Sequence, residues 1–139
     1  MKAFDTDILT EILAGNPAYA ERIANVPLEE QSAPIIAIEE VLRGRLNVIR
    51  QAEAGRTRIT IERTYELFEA TLDALRELKF FSFTQEAEAL LNEWRKKKIQ
   101  GSTHDLRIAA SCVVSSVTLV TRNRRDFEHI PGLAVEFWE

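Results

Sequence analysis

Four groups of side chains could do chemistry here: Asp5 and Asp7, Glu39 and Glu40, Asp105, and Asn123 with Asp126. All offer oxygen donors, which suit hard divalent cations such as Mg²⁺ or Mn²⁺. A closed zinc site is not expected, because Cys112 is the one cysteine and His104 and His129 are the two histidines. Two carboxylates about 4 Å apart repel by roughly 1 kcal/mol in water and about 4 kcal/mol at an effective dielectric near 20. Acids gathered at one point would therefore be unfavourable unless a cation joined them. Such an ion beside arginines suits phosphodiester hydrolysis, since it polarises the phosphate and activates water. Each acid also has a plain structural role available, because Asp caps helices and acids in a first helical turn meet the positive end of the macrodipole. Glu40 is harder to explain that way. Gly44 follows it four residues later on the same helical face, and glycine in a helix interior costs about 1 kcal/mol relative to alanine. A glycine there suggests close approach of something else.

The elements that would position these groups can be read from periodicity. Lys2 to Asp5 reads as a short strand, and Asp5-Thr6-Asp7 is a good cap sequence for a helix over Ile8 to Ala14. Gly15-Asn16-Pro17 stops that helix, and Pro17 suits the first turn of the next. Ala33 to Ile36 reads as a buried strand, with a helix from about Ile38. After Thr60, the residues Ile61, Tyr65, Phe68, Leu72 and Leu75 alternate in steps of four and three, which predicts a long helix with this stripe mostly in the core. Ala87, Leu90, Leu91 and Trp94 repeat the pattern, with Thr84 as cap. Thr103 to Ser115 reads as a helix rich in small residues, with Thr103 as a cap that leaves Asp105 free. Val117 to Val120 and Leu133 to Phe137 read as strands, the first of the doubly covered parallel kind. Strands separated by helices argue for an α/β chain with helices on both faces of a parallel sheet. Ligands of such sheets bind beyond the carboxyl ends of the strands, and every acid named above falls at such a junction.

Composition restricts the function less than the acids do. A chain of 139 residues fits one domain spanning 1–139. Its apolar share of 45% and charged share of 29% are those of ordinary globular proteins. No apolar run is long enough to cross a bilayer, and the N-terminus lacks a signal-peptide core, so a cytoplasmic location is expected. The formal charge of −4 gives no overall basic footprint for nucleic acid. The cations are clustered instead, as Arg43, Arg45 and Arg50; Arg56 and Arg58; Lys96 to Lys98; and Arg122, Arg124 and Arg125. Solvated helix faces and helix C-termini account for such clusters as readily as phosphate contacts do.

The motifs around the acids together resemble the PIN-domain proteins of the VapC toxin type, over the whole chain. Phe4-Asp5-Thr6-Asp7-Ile8-Leu9 resembles the opening of that family, and Ile38-Glu39-Glu40-Val41-Leu42-Arg43-Gly44 its acidic helix, with Glu40 in the acidic slot. Asp105-Leu106-Arg107-Ile108-Ala109-Ala110 resembles its Asp-x-x-Ile-Ala-Ala element. Leu119 to Phe127 resembles its strand-to-loop signature, and Ile130-Pro131-Gly132-Leu133 with Trp138 its ending. The resemblance implies a three-layer α/β/α fold with a short, mostly parallel central sheet, and Mg²⁺- or Mn²⁺-dependent cleavage of RNA. It implies Asp5, Glu40 and Asp105 as metal-binding acids. Asp126 or Asn123 would fill a fourth position, Asn123 only through a neutral carbonyl. Thr121 would support the site by hydrogen bonding, and Arg43, Arg122 and Arg124 are candidates for phosphate contact. Where many members carry Thr shortly before the helix acid, this chain has Ala37. The resemblance further implies a small VapB-like antitoxin over the active-site groove and a homodimer.

Three other readings compete. A phosphoryl-accepting signalling domain also gathers acids around Mg²⁺, but neither Phe80-Phe81-Ser82-Phe83 nor Val117 to Thr121 supplies its acceptor Asp or its Lys. A non-catalytic RNA- or partner-binding module on the same fold is the second. An RNA-processing nuclease without an antitoxin is the third.

Overall fold

The computed structural model describes all residues from Met1 to Glu139. Five short strands form one parallel sheet: β1 (Lys2–Phe4), β2 (Gln31–Pro34), β3 (Lys79–Phe81), β4 (Thr118–Thr121) and β5 (Val135–Phe137). Their spatial order is β3-β2-β1-β4-β5, and every pair is parallel. The helices are α1 (Thr6–Leu13), α2 (Pro17–Ala24), α3 (Ile35–Glu53), α4 (Ile61–Arg76), α5 (Gln85–Lys96), α6 (Thr103–Ser115) and α7 (Arg124–Phe127). The chain runs outward from β1 to β3, then returns to β4 on the other side of β1. With right-handed crossovers, that reversal sends α1 to α4 to one face and α5 and α6 to the other. The result is the three-layer α/β/α arrangement. The strand order reverses between β1 and β4, and such a switch point is where open α/β sheets bind ligands.

The core is built from the central strands and the inner faces of α1, α3, α5 and α6. Ala3, Phe4, Leu119 and Val120 are fully buried, as are Ile108, Ala109 and Ala110 on α6. The small residues of α6 let it lie close to the sheet, as their composition predicts. Ala87, Leu91 and Trp94 of α5 are buried as expected, and Thr84 caps that helix by accepting from Ala87 N.

Several boundaries shift by a few residues. The first helix starts at Thr6 with Asp5 as its cap, and α3 starts at Ile35 rather than near Ile38. Pro34 ends β2 and lacks the amide that would extend the ladder, so the chain passes into helix at once. The apolar stripe of α4 is the larger correction. Ile61 and Tyr65 are about half exposed, at 47% and 51%, and Leu72 is exposed too. The buried side chains of α4 are Thr64 and Thr71. α4 packs on α3 and presents a threonine face to it, where Arg45 Nε donates to Thr71 Oγ1 at 2.8 Å. Periodicity located the helix and part of its inward face, since Phe68 and Leu75 are half-buried and Leu75 packs on the core, but Ile61, Tyr65 and Leu72 turn to solvent.

Two turns place a non-glycine residue in left-handed backbone, at Lys98 after α5 and at Ser116 after α6. Lys98, just past α5, has φ 60°, a left-handed conformation that costs a side-chain-bearing residue roughly 1–2 kcal/mol. Its amide closes on Arg95 O at 3.0 Å, and Ile99 N on Trp94 O at 3.0 Å, the double bond of a Schellman cap.

Candidate metal-assisted active site

Asp5 is the best-defined member of the site. Its amide donates to Val120 O at 2.9 Å, which extends the β1–β4 ladder by one residue and pins Asp5 at the switch point. Its side chain is only 5% exposed. Thr121 Oγ1, wholly buried at the end of β4, donates to Asp5 Oδ2 at 2.6 Å. Thr6 N donates to Oδ1 at 2.7 Å. Burial raises the Asp5 carboxyl to a pKa of about 7, with Asp7 and Asp105 adding repulsion and the two hydrogen bonds opposing it. A carboxyl whose burial disfavours its charge is poised for a cation to take the place of a proton.

The other acids reach the same sheet edge from three elements. Glu40 sits in the second turn of α3, and Thr6 Oγ1 donates to its Oε1 at 2.8 Å. This contact makes up for the hydroxyl missing at Ala37, which is fully buried. Thr6 thus bridges two acids, with its amide on Asp5 and its hydroxyl on Glu40. Asp105 lies in the first turn of α6, where Ser102, not Thr103, is the cap and accepts from Asp105 N at 3.1 Å. The Asp105 carboxyl is raised from its ordinary value by burial first, then by the neighbouring carboxylates Asp126 and Glu40. Asn123 caps α7, accepting from Asp126 N at 3.3 Å while its Nδ2 donates to Asp126 Oδ2. Asn123 N donates to Thr121 Oγ1 at 3.1 Å. Thr121 therefore joins the β4 loop to Asp5, and being buried it acts on the acids rather than on anything outside.

Asp5, Glu40, Asp105 and Asp126 thus form one electrostatic group drawn from four junctions. No three acid, histidine or cysteine side chains close on a common point as they stand. The donors are nevertheless oxygen-only, and two of the carboxyls are raised by burial and by one another, which is the chemistry that a hard divalent cation relieves. Asp5, Glu40 and Asp105 fit such an ion, with Asp126 next to Asp105.

The predicted phosphate-contacting arginines are all engaged with acids. Arg43 pairs with Glu39, Arg122 with Glu11 at 2.9 Å and with Asp7 at 4.0 Å, and Arg124 Nε with Glu139 at 2.7 Å. Glu39 also meets His104 Nε2 at 3.1 Å, which ties α3 to α6 beside Glu40 and Asp105. The Glu39–His104 contact and the hydrogen bonds of Thr6 and Ser102 are what sequence reasoning missed. Their one signal was adjacency to an acid. Gly44 has open space where a side chain would stand, so no part of the chain approaches it closely. It lines an open groove of about 850 Å³ along α3, together with Ile38, Glu40, Arg43 and Leu46.

Sheet order, switch point and acid group define an α/β protein built to present carboxylates at the ends of its central strands. The PIN domain family matches residues 2–133, and the chain belongs to that family. A ribonuclease VapC1 of Rickettsia felis is 39% identical over 46 residues, one third of this chain and 34% of the relative. Among solved structures, VapBC2 from Rickettsia felis, bound to a promoter DNA fragment, aligns with TM-score 0.74 at 20% identity. That alignment covers 99% of this chain and 98% of the other. FitAcB from Neisseria gonorrhoeae gives TM-score 0.78 at 19% identity over 97% and 96% of the two chains. A toxin–antitoxin complex from Klebsiella pneumoniae gives 0.70 at 23% over 96% of each. At these identities the structures establish the shared fold.

Proposed function

We propose that this chain, one PIN-type domain over residues 1–139, is a divalent-metal-dependent endoribonuclease and the toxin of a toxin–antitoxin pair. The observation that carries the reading is Asp5, a carboxyl sealed into the switch point and braced by Thr121, with three more acids grouped around it. The names of the relatives, a ribonuclease VapC1 and a toxin–antitoxin complex, support it.

Asp5, Glu40 and Asp105 would hold Mg²⁺ or Mn²⁺, which supplies Lewis acidity toward an RNA phosphate. The residues do the rest. Thr121 and Thr6 would hold the Asp5 oxygens, and Thr6 one oxygen of Glu40, which leaves these two acids fewer orientations to search as an ion is bound. Asp126 accepts a hydrogen bond from Asn123 and lies close enough to Asp105 to raise it, which would put a further carboxylate at the rim of the group. Arg43 and Arg122 would contact phosphate by exchanging their carboxylate partners for it, with Asn123 beside them. A VapB-like antitoxin and a second copy of the chain are the partners proposed. The exposed stripe of α4 and the open groove on α3 offer apolar surface for them. No helix is long and apolar enough to cross a membrane, and a cytoplasmic site of action is proposed with the toxin role.

The second reading is a non-catalytic RNA- or partner-binding module, favoured by one observation: no three acids close on a single point. Purified chain and a mixed RNA pool separate the two. Cutting in Mn²⁺ that stops in EDTA supports the nuclease, whereas RNA retention in EDTA without cutting in either metal supports the binding module.

A further inference from the structure

The longest run of exposed cations in the chain lies apart from the arginines beside the acids. Arg43, Arg122 and Arg124 are paired with carboxylates, as described above. On the turn between α5 and α6 the case is different. Arg95, Lys96, Lys97 and Lys98 are all exposed, and only Lys97 is paired, with Glu93 at 3.2 Å. Arg95 uses Nη2 to donate to Thr103 Oγ1 at 2.7 Å, so its charge is held against the first turn of α6 without being neutralised by an acid.

The turn is also locked in place next to the site. A Cβ on Gly101 would lie 3.0 Å from the Leu106 side chain, so the backbone there sits tight on α6. His129 Nε2 meets Gln100 O at 2.6 Å on the other side. Four residues separate Lys98 from Ser102, the cap that fixes Asp105. That places Lys98 at most about 14 Å from the cap, even were the chain fully extended.

Capping accounts for part of this cluster. Arg95 and Lys96 lie in the last turn of α5, where cations offset the macrodipole. It does not account for Lys98, which lies past the helix in a left-handed conformation that glycine or asparagine would adopt at less cost. Folding alone would not choose a long charged side chain there.

We propose that the α5–α6 turn, with Lys96 and Lys98 foremost, is where the phosphate backbone of single-stranded RNA docks as it leaves the acid group. The proposal rests on the nuclease reading for the identity of the ligand. A chain of net charge −4 repels a polyanion at long range, so a local cationic patch beside the acids must capture it. Lys98 is then retained for its charge, against its backbone preference.

The test is a Lys96→Ala/Lys98→Gly double variant of the full chain, with Arg56→Ala/Arg58→Ala as control. The control removes the same charge at the α3–α4 turn, about 20 Å along α3 from Glu40. For cleavage of single-stranded RNA at low salt, KM of the lysine variant rises on the order of tenfold while kcat holds within twofold, and the control changes neither. Binding of uncleaved RNA is measured separately in an Asp5→Asn background across a salt series. There the lysine variant flattens the log–log slope by about 1.4, two contacts at roughly 0.7 each. Its Tm is unchanged or higher, because glycine relieves the left-handed residue. Unchanged KM and slope, or an equal loss in the control, overturns the docking surface and leaves the nuclease reading intact. Absence of cleavage by the unmodified chain counts against the nuclease reading, while the salt series still decides whether the turn binds RNA.

Discussion

Replacing Asp5 with Asn should stabilise the protein in EDTA at pH 8 and abolish its response to Mg²⁺. In the folded chain the Asp5 carboxyl is raised to about 7, chiefly by burial. In the unfolded chain it returns to about 3.9. Its folded pKa lies above its unfolded one, so folding favours the protonated form. Between about pH 4 and pH 7 the folded state therefore holds a proton that the unfolded state has lost, and stability falls as pH rises through that window. Three units at about 1.36 kcal/mol each make roughly 4 kcal/mol lost by pH 8. An Asn side chain carries no charge to bury but has one acceptor oxygen where the carboxylate has two, for donors Thr6 N and Thr121 Oγ1. Rearranging one of these hydrogen bonds costs about 1–2 kcal/mol. The net gain is roughly 2 kcal/mol, or about 6–8 °C in Tm for a chain of this size. At pH 5 Asp5 is already neutral and the gain should vanish. Thermal melts of both proteins at pH 5 and pH 8, in EDTA and in Mg²⁺, read all of this. Mg²⁺ should raise the Tm of the unmodified chain at pH 8, by about 2.7 kcal/mol of stability at a hundredfold excess over Kd, and leave the variant unmoved. A variant destabilised equally at both pH values, or one that keeps the Mg²⁺ shift, would refute the reasoning.

Other substitutions test the supports. Thr121→Val removes a buried donor to Asp5 and the acceptor for Asn123 N; urea unfolding should show a loss of about 2–4 kcal/mol. Thr6→Val keeps the amide on Asp5 but unties Glu40; titration calorimetry with Mn²⁺ should show affinity down about 10–100-fold, with Tm little changed. Tyr65→Glu falls on the exposed stripe of α4 and should alter stability by no more than about 0.5 kcal/mol in a melt; a large loss would mean that the stripe is buried after all. Trp138→Ala empties the contact with Phe4, whose ring centroid lies 5.8 Å away, and should cost about 3–5 kcal/mol by chemical denaturation.

Much of the site was legible because its acids sit near the starts of helices, and those starts are marked by turn and cap residues in the sequence. Asp5 and Asp126 could be placed just past strands, Glu40 in the helix that follows one and Asp105 at the start of the helix that leads into β4, and the parallel sheet then brings them to one edge. The supporting contacts were harder to read. Thr6 reaches Glu40 across 34 positions, and His104 reaches Glu39 across 65, distances over which neither spacing nor propensity carries information. The inward face of α4 was read only in part for a related reason, with Phe68 and Leu75 half-buried but Ile61, Tyr65 and Leu72 exposed. Apolar periodicity reports which face is greasy, whereas burial depends on what stands opposite, and α3 presents Arg45 to the Thr71 hydroxyl. Lys98 was visible only as part of a basic run. Its left-handed backbone, which gives the run its meaning, is a property of the folded turn.

The central claim is that Asp5 and its neighbouring acids hold a divalent ion that cuts RNA. Cleavage of a mixed RNA pool by the purified chain, in Mn²⁺ or Mg²⁺ against EDTA and beside Asp5→Asn, tests it most directly. The account predicts cutting that needs the metal and is lost in the variant. Cutting that persists undiminished in Asp5→Asn, or in EDTA, would contradict it.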